Sequence, residues 1–435
     1  MAEDSKTPLL KTAANASFLL LIFSLGFMQP DIYLFGISIV FTEIAFLLTC
    51  SIWLFALIKG DLGFRWDRTY FVLGLYAVGL LFSAVFSENP RVGAVKILGE
   101  VYLIGLAIMA FNFASDPKMI RKIFVAWLAA TAISAFIGTI TVGFFYLGQT
   151  NWITEFSLLD HYGSLPVGDY PRLQGTFLYP SMLCDYLTVS LMMLLAARKL
   201  AWIGPKLFAI LAALTIITII FTVTPGIGSV ILAVCVWFYV ILKEHRKKTF
   251  AKFLLTGGIL AQIAFLTIST VTFINISTSP YFFYVGGVRI DPTQRLLAWQ
   301  GAFQTFLSHP FFGKGIGLGV VSVYFMPPSG QMQVLTDAHN MLLSTAGQAG
   351  IFGVIPLILI AVAIIRKRHL FTLGGGPASD ISLALGWAFV SAFLLQGLVG
   401  SFEDARHLWV LIGLIIAVTA DRSPAETLDE TTSTT

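Results

Sequence analysis

The sequence predicts a polytopic α-helical membrane protein, and three observations support that prediction. Of the 435 residues, 57% are hydrophobic and 11% are charged, whereas ordinary soluble domains carry about 25% charged residues. Apolar runs of roughly 20 residues, the length that crosses a bilayer as a helix, recur along the chain. These runs are continuous rather than alternating, which favours spanning helices over the strands of a membrane barrel.

The chain divides into about twelve candidate spans within a single membrane domain, residues 1–435. They are centred near residues 21, 48, 77, 103, 132, 187, 214, 234, 263, 352, 391 and 414. Of the 27 lysines and arginines, 20 fall in segments on the side of the N-terminus. The positive-inside rule therefore predicts that both termini are cytoplasmic. Because these loops account for the net charge of +4, the sequence predicts no nucleic-acid partner.

The remaining seven basic residues fall on the side that should be poor in positive charge, which makes them candidates for function. They are Arg91, Lys96, Arg172, Arg289, Arg295, Lys314 and Arg406. Two long loops lie on that predicted periplasmic side, residues 148–176 and 274–336. Both hold aromatic and apolar residues, so we expect a folded surface with amphipathic helices rather than linkers. The tail, residues 423–435, is predicted to be disordered.

The larger loop contains a predicted amphipathic helix that lies along the membrane surface. Asp291 is the expected N-cap and Pro292 the first helical residue. Arg295 then falls in or just after the first turn, and Arg289 shortly precedes the cap. Each arginine is either functional or an interfacial anchor whose charge reaches the headgroups. In the shorter loop, Arg172 has the same two interpretations.

Several ionisable residues lie in or near predicted spans, where such residues are rare unless they are paired or functional. Lys96 and Glu100 are four residues apart on one helix and are expected to form an ion pair. Asp185 and Glu43 either orient a basic residue or line a cavity. Pro180 is positioned to begin the sixth span.

The stretch "DAHNMLLSTAGQAG", residues 337–350, places a histidine where a span begins. Thr336 or Asp337 is the expected cap, which puts His339 in the first turn, with Gly350 about three turns below it on the same face. Glycines here are expected to let a neighbouring helix approach. The positive end of a helix dipole attracts anions and keeps an imidazole neutral, so that it can act as a base. The alternative is an ordinary interfacial histidine.

Several motifs together resemble the O-antigen ligase and polymerase superfamily of bacterial membrane glycosyltransferases. They are His339 with Gly350, "RLLAW", "HPFFGKGIG", "PRLQGTFLYP" and "FEDARHLW", spread over about residues 170–420. The resemblance implies a GT-C-like fold. It also implies an enzyme that transfers a glycan from undecaprenyl diphosphate to an acceptor hydroxyl at the periplasmic face of the inner membrane. It implies that His339 is the base and that Arg172 and Arg295 hold the diphosphate, a role that Arg289 can share or take over.

The remaining candidates have less defined roles. Glu403, Asp404 and Arg406 match an acidic and basic patch of the family, and Asp185 is a further supporting candidate. No Cys or His spacing suggests a metal site, and we expect no cofactor. The expected reaction is an inverting, metal-independent ligation of the donor glycan to lipid A-core. The alternatives are an O-antigen or exopolysaccharide polymerase, which uses a growing glycan as acceptor, and a transporter or flippase.

Overall fold

The computed structural model describes residues 9–30, 32–34, 37–158, 170–244, 247–273, 282–325, 333–367, 370–371 and 377–420. Its first helices are α1 (Leu9–Ser24), α2 (Phe41–Lys59), α3 (Thr69–Val85), α4 (Pro90–Ala114) and α5 (Pro117–Tyr146). The next are α6 (Trp152–Ser157), α7 (Pro180–Lys199), α8 (Pro205–Phe221), α9 (Ile227–Glu244) and α10 (Lys248–Thr270). The last are α11 (Gln294–Ser308), α12 (Met341–Ile365), α13 (Pro377–Phe389) and α14 (Arg406–Thr419). Helix α13 continues as a π-helical turn and a 3-10 turn to Leu398.

The protein is a polytopic all-α membrane protein, as the sequence predicts. Among the described residues, seven helices are long and apolar enough to cross a membrane, and five further apolar helices are shorter. Each of the twelve predicted span centres falls inside one of these helices. Helices α6 and α11 belong to the two long loops. The end of the bundle that carries these loops is called the loop face below.

Helix α7 lies at the centre of the bundle and is buried on most of its surface. Helix α10, by contrast, lies at the outside, with most of its surface exposed. Pro180 is the first residue of α7, as predicted. Trp127 of α5 stacks on Tyr186 of α7, and its indole nitrogen donates to the Ser190 hydroxyl at 2.9 Å. The indole N–H of Trp127 therefore has a partner in this packed interior, as a lipid environment requires.

Helix α12 is two helices joined at Gly350, where the backbone has φ +59° and ψ −155°. The prediction that Gly350 lies on an unbroken helix below His339 is therefore wrong. The backbone N–H of Ile351 donates to the Pro310 carbonyl at 2.8 Å. A Cβ at Gly350 would lie 2.3 Å from the Phe311 carbonyl oxygen. The close approach here is made by the segment 309–317, the "HPFFGKGIG" motif, and not by a neighbouring helix.

Gly347, three residues before Gly350 on α12, is packed just as closely. A Cβ at Gly347 would lie 2.8 Å from a methyl of Val320, in the chain that follows the motif. The Gly347 carbonyl accepts from the Lys314 backbone N–H at 2.9 Å. On the far side of the kink, a Cβ at Gly79 of α3 would lie 1.8 Å from the Phe352 carbonyl oxygen. Glycine at these positions thus lets the loop face and α3 close on α12.

Seven short strands accompany the helices in the described part of the chain, and none of them was predicted from the sequence. They are β1 (Ile32–Leu34), β2 (Ile37–Ile39), β3 (Val271–Phe273), β4 (Phe283–Val285), β5 (Val288–Pro292), β6 (Val323–Phe325) and β7 (Gln333–Leu335). All pair antiparallel, in the orders β1-β2, β3-β5-β4 and β6-β7. The described part of the larger loop holds the helix α11 and the four strands β4 to β7, and β3 lies between the loop and the end of α10. The predicted tail, residues 423–435, lies outside the described residues.

The start of α11 also differs from the prediction. Asp291 and Pro292 belong to β5, and the N-cap is Thr293. The Thr293 hydroxyl donates to the carbonyls of Ser269 and Thr270, both at 3.0 Å. Strand pairing with β3 extends the chain through residue 292, so the helix begins two residues later than its capping motif predicted. Arg295 nevertheless lies in the first turn, as expected.

Candidate functional site at the loop face

His339 lies immediately before α12 rather than in its first turn. The N-cap is Asn340, whose side-chain oxygen accepts from the Leu343 backbone N–H at 3.1 Å and whose side-chain nitrogen donates to the Leu398 carbonyl at 3.1 Å. The prediction of Thr336 or Asp337 as the cap is wrong, because the Asn340 side chain caps the Leu343 N–H and also binds the Leu398 carbonyl. His339 has φ +47°, in the left-handed region that few non-glycine residues adopt. Its side chain is 41% exposed.

The imidazole of His339 has a carboxylate partner two residues earlier in the chain. Its Nδ1 lies 3.1 Å from Oδ2 of Asp337, while the Ser401 hydroxyl donates to Oδ1 of Asp337 at 2.6 Å. Burial raises the pKa of Asp337, but the contacts with His339 and Ser401 outweigh burial and hold that pKa below its usual value. Sequence reasoning considered Asp337 only as a helix cap. The D-x-H spacing was the available signal for this pair.

The stretch that follows Arg172 is anchored to α5, to the end of α8 and to the turn after α1. Leu173 is fully buried, and its backbone N–H donates to the Phe221 carbonyl at the end of α8 at 2.8 Å. The Thr176 hydroxyl donates to the Gly26 carbonyl at 2.6 Å and is 2.8 Å from the hydroxyl of Ser134 on α5. These contacts fix the backbone that follows the arginine.

Arg172 and Arg295 are close enough for the charge of one to act on the other. Burial, followed by the positive charge of Arg172, lowers the pKa of Arg295 to about 10, while the Asp337 carboxylate acts in the opposite direction. Nε of Arg295 is buried, and among the described residues no hydrogen-bond acceptor reaches it. Arg295 therefore lies within electrostatic reach of both Arg172 and the Asp337 carboxylate, which contacts His339.

Arg289 is engaged on its own hairpin. Its Nε lies 3.2 Å from Oδ1 of Asp291, and its guanidinium lies 4.1 Å from the centroid of the Phe282 ring. These two contacts, one within β5 and one with the residue before β4, account for its position. A role for Arg289 in binding diphosphate stays a prediction.

The acidic and basic patch forms a second polar cluster under the loop face. Lys96 contacts Asp404, and its Nζ lies 3.6 Å from Glu100, the ion pair that the sequence predicts. Arg406, at the start of α14, pairs with Glu43 at the start of α2. Glu43 in turn accepts from the Val40 backbone N–H at 2.6 Å.

Glu403 connects this cluster to α12. The Ser344 hydroxyl donates to Oε1 of Glu403 at 2.8 Å, and Oε2 is buried without a partner among the described residues. Burial, followed by the nearby charges of Asp404 and Asp337, raises the pKa of Glu403 to about 8. Burial would also raise the pKa of Asp404, but Lys96 holds it below its usual value. The surroundings therefore shift the pKa values of these two neighbouring carboxyl groups in opposite directions.

Asp185 lies inside the bundle. Its Oδ2 is 2.7 Å from Nε2 of His407, and both side chains are almost fully buried. Tyr186 contacts the same imidazole edge to face, with ring centroids 5.6 Å apart. Two roles were open for Asp185 and Glu43, and in the structure each is the partner of a basic residue. Asp185 contacts His407, and Glu43 pairs with Arg406. Sequence reasoning missed His407.

A polar cavity lies at the opposite end of α11 from Arg295. Its volume is about 510 Å³, and it is lined by Glu88, Gly301, Gln304, Thr305, Ser308, His309, Lys314, Val320, Val321 and Ser322. A much smaller cavity of about 10 Å³ lies among Glu100, Gln348 and Glu403. Within the described ranges, no group of three or more His, Cys, Asp or Glu side chains is arranged to hold a metal ion.

Comparison with known proteins gives one family. Residues 208–358, from α8 into the second half of α12, match the family model for O-antigen ligase. This match supports the O-antigen ligase superfamily. The O-antigen ligase match includes Arg289, Arg295 and His339, whereas Arg172 and the cluster at residues 403–406 lie outside it. No curated protein matches the chain.

Proposed function

We propose that the chain is an O-antigen ligase that transfers a glycan from undecaprenyl diphosphate to a hydroxyl of lipid A-core. The observation that carries the proposal is that Arg295 lies near both Arg172 and the Asp337 carboxylate, which contacts His339. The family match supports the reaction class, since members of this family are glycosyltransferase-like enzymes of membranes. The site would lie at the periplasmic face of the inner membrane, with both termini cytoplasmic, as the distribution of basic residues predicts.

The arginines would neutralise the leaving group. Displacing a diphosphate from a sugar carbon leaves negative charge on the phosphate oxygens, and guanidinium groups bind such oxygens through two parallel hydrogen bonds. The buried Nε of Arg295 is a donor that an anionic ligand would satisfy. Two positive charges that lie close together without a ligand repel each other, and a diphosphate between them would remove that repulsion.

His339 would act as the general base. The acceptor hydroxyl oxygen attacks the anomeric carbon, its proton passes to Nε2 of His339, and the bond from that carbon to the diphosphate oxygen breaks. The bonding electrons leave with the diphosphate, which the arginines hold. Attack opposite the leaving group inverts the anomeric centre. Because Nδ1 faces Asp337, the carboxylate would stabilise the imidazolium that forms.

The test is the lipopolysaccharide profile of a strain that lacks this chain. A ligase predicts that the O-antigen ladder disappears while polymer accumulates on its lipid carrier. A band with a single repeat would instead identify a polymerase, which joins repeat units to one another. An unchanged ladder, with the expected complementation control in place, would contradict both activities.

A further inference from the structure

The hairpin of β4 and β5 carries an exposed apolar ribbon, residues 282–288. Five large apolar side chains in this run are 42–65% exposed: Phe282, Phe283, Tyr284, Val285 and Val288. Side chains alternate between the two faces of a strand, so the ribbon exposes apolar groups on both faces. The described part of the protein therefore does not cover this ribbon from either side.

The ribbon has the geometry of a tight hairpin. Gly286 and Gly287 have φ +56° and +83°, as a two-residue hairpin turn requires, and Val285 pairs with Val288 directly across it. Within the described ranges, strand β3 pairs with residues 290–292 of β5 and does not reach the tip, which is two-stranded there. Two-stranded ribbons are marginally stable in water, and an exposed apolar edge promotes aggregation. An apolar surrounding would remove both difficulties.

The base of the hairpin is fixed to the end of a candidate membrane span. Strand β3 begins at Val271, directly after the last residue of α10. On the other side, the Thr293 hydroxyl donates to the carbonyls of the last two residues of α10, Ser269 and Thr270. The ribbon therefore starts where the span leaves the membrane.

The residues of the ribbon suit the boundary between lipid and water. Phe282 and Tyr284 pack edge to face at 5.9 Å, and the guanidinium of Arg289 lies over the Phe282 ring. Aromatic rings concentrate at the headgroup level, and arginines reach from apolar surroundings to headgroup phosphates. Among the described strands, β4 is the edge of its sheet, so its outer backbone groups need water or headgroups and exclude the hydrocarbon centre.

We propose that the apolar ribbon inserts into the membrane–water interface of the lipid bilayer at the loop face. The bilayer is favoured over a protein partner for two reasons. The ribbon is continuous with a lipid-facing span, and it is apolar on both faces, whereas docking to a protein requires only one apolar face. The insertion would hold the start of α11, and with it Arg295, at headgroup depth. The proposal does not depend on glycosyl transfer.

The experiment measures the depth of the ribbon with an environment-sensitive fluorophore. Tyr284→Cys is labelled with a nitrobenzoxadiazole dye in protein whose Cys50 and Cys235 are replaced by serine, reconstituted in phospholipid nanodiscs. Gln304→Cys, on the exposed side of α11 beside the polar cavity, is the matched control. Val288→Cys repeats the measurement on the opposite strand, so that one disturbed label does not decide the result.

We expect blue-shifted emission at residues 284 and 288 and strong quenching by lipids that carry a nitroxide near the headgroup. The control at residue 304 should emit as in water and be quenched by aqueous iodide. Iodide quenching at 284 and 288 equal to that at 304 would overturn the proposal. So would protection of these labels in detergent that rises with protein concentration, because it would show a second copy of the chain covering the ribbon.

Discussion

Nδ1 of His339 lies 3.1 Å from Oδ2 of Asp337, and the two residues flank the buried Ala338 at the mouth of α12. The positive φ of His339 makes this contact possible, because it turns the side chain back toward the residue two positions earlier. Such backbone conformations cost about 1–3 kcal/mol and concentrate at functional sites. The strained backbone and the carboxylate contact both support the proposal that the imidazole is held for chemistry.

Asp337→Asn tests this pair. We expect kcat to fall with little change in KM, and the low-pH limb of the rate profile to move to lower pH. The reason is that a carboxylate stabilises a neighbouring imidazolium, whereas an amide does not. Partners that orient metal-binding histidines contribute about 10- to 100-fold, and a similar loss is expected here. The measurement is the rate of transfer by purified protein between about pH 5 and 9.

Ser401→Ala is the control for Asp337→Asn, because it loosens the carboxylate but keeps its charge. It should lower the rate less and leave the low-pH limb in place. A rate profile for Asp337→Asn that matches the wild type in both height and position would show that the contact has no part in turnover.

Arg172 and Arg295 are predicted to hold the diphosphate. Alanine at either position should lower transfer by at least about 10- to 100-fold, since a hydrogen bond to a charged group contributes about 1.5–3 kcal/mol. Lysine should restore little, because a point charge does not reproduce the two-point contact of a guanidinium. Arg91→Ala, at an exposed arginine in the first turn of α4, is the matched control. The assignment fails if both alanine variants transfer glycan at the wild-type rate at equal protein levels.

Gly350→Ala is predicted to destabilise the protein. The backbone at Gly350 is of a kind that essentially only glycine adopts, with a cost of about 1–3 kcal/mol for other residues. In addition, the new Cβ would lie 2.3 Å from the Phe311 carbonyl oxygen. Gly257→Ala in α10 is the control, since no described atom beyond its chain neighbours and the nearby backbone of its own helix lies within 4 Å of a Cβ there. Thermal unfolding in detergent should show a lower midpoint for Gly350→Ala alone, and equal midpoints for both variants would contradict the kink.

Glu403→Gln is predicted to change how stability depends on pH. In the folded protein the pKa of Glu403 is raised to about 8, so the unfolded chain loses this proton first as pH rises. This group therefore destabilises the fold increasingly from about pH 5 to 8. Glutamine stays neutral and still accepts from Ser344, so the variant should lose less stability over that range. The exposed Glu155→Gln is the control, and parallel curves for wild type and Glu403→Gln would contradict the raised pKa.

Much of the membrane architecture could be predicted from the sequence, because lipid imposes one simple rule on spanning segments. Long apolar runs marked every apolar helix of the bundle, and the spacing of Lys96 and Glu100 predicted their ion pair. Local capping rules were less successful. Asp291 has the correct sequence context for a helix cap, yet it pairs with β3 as part of a strand. Asn340 caps α12, and its side chain also donates to the Leu398 carbonyl of a distant segment.

Contacts between distant segments could not be predicted from one sequence. The pair of Asp185 and His407 joins α7 to α14, and Glu403 reaches Ser344 on α12. Nothing in the local pattern at either end of these pairs specifies the other end. Gly350 carried a visible signal, but its helical spacing suggested a smooth face, whereas the tertiary contact with Phe311 breaks the helix.

The most direct test of the proposed mechanism is the turnover of His339→Ala with lipid-linked donor and acceptor, beside a measurement of donor binding. The variant should fold and bind donor, because the arginines are unchanged, while turnover falls by at least the roughly 10²-fold of a lost general base. The wild type should keep its activity in EDTA. Near-normal turnover of His339→Ala would contradict the role of His339 as the base, and loss of wild-type activity in EDTA would contradict a metal-independent transfer.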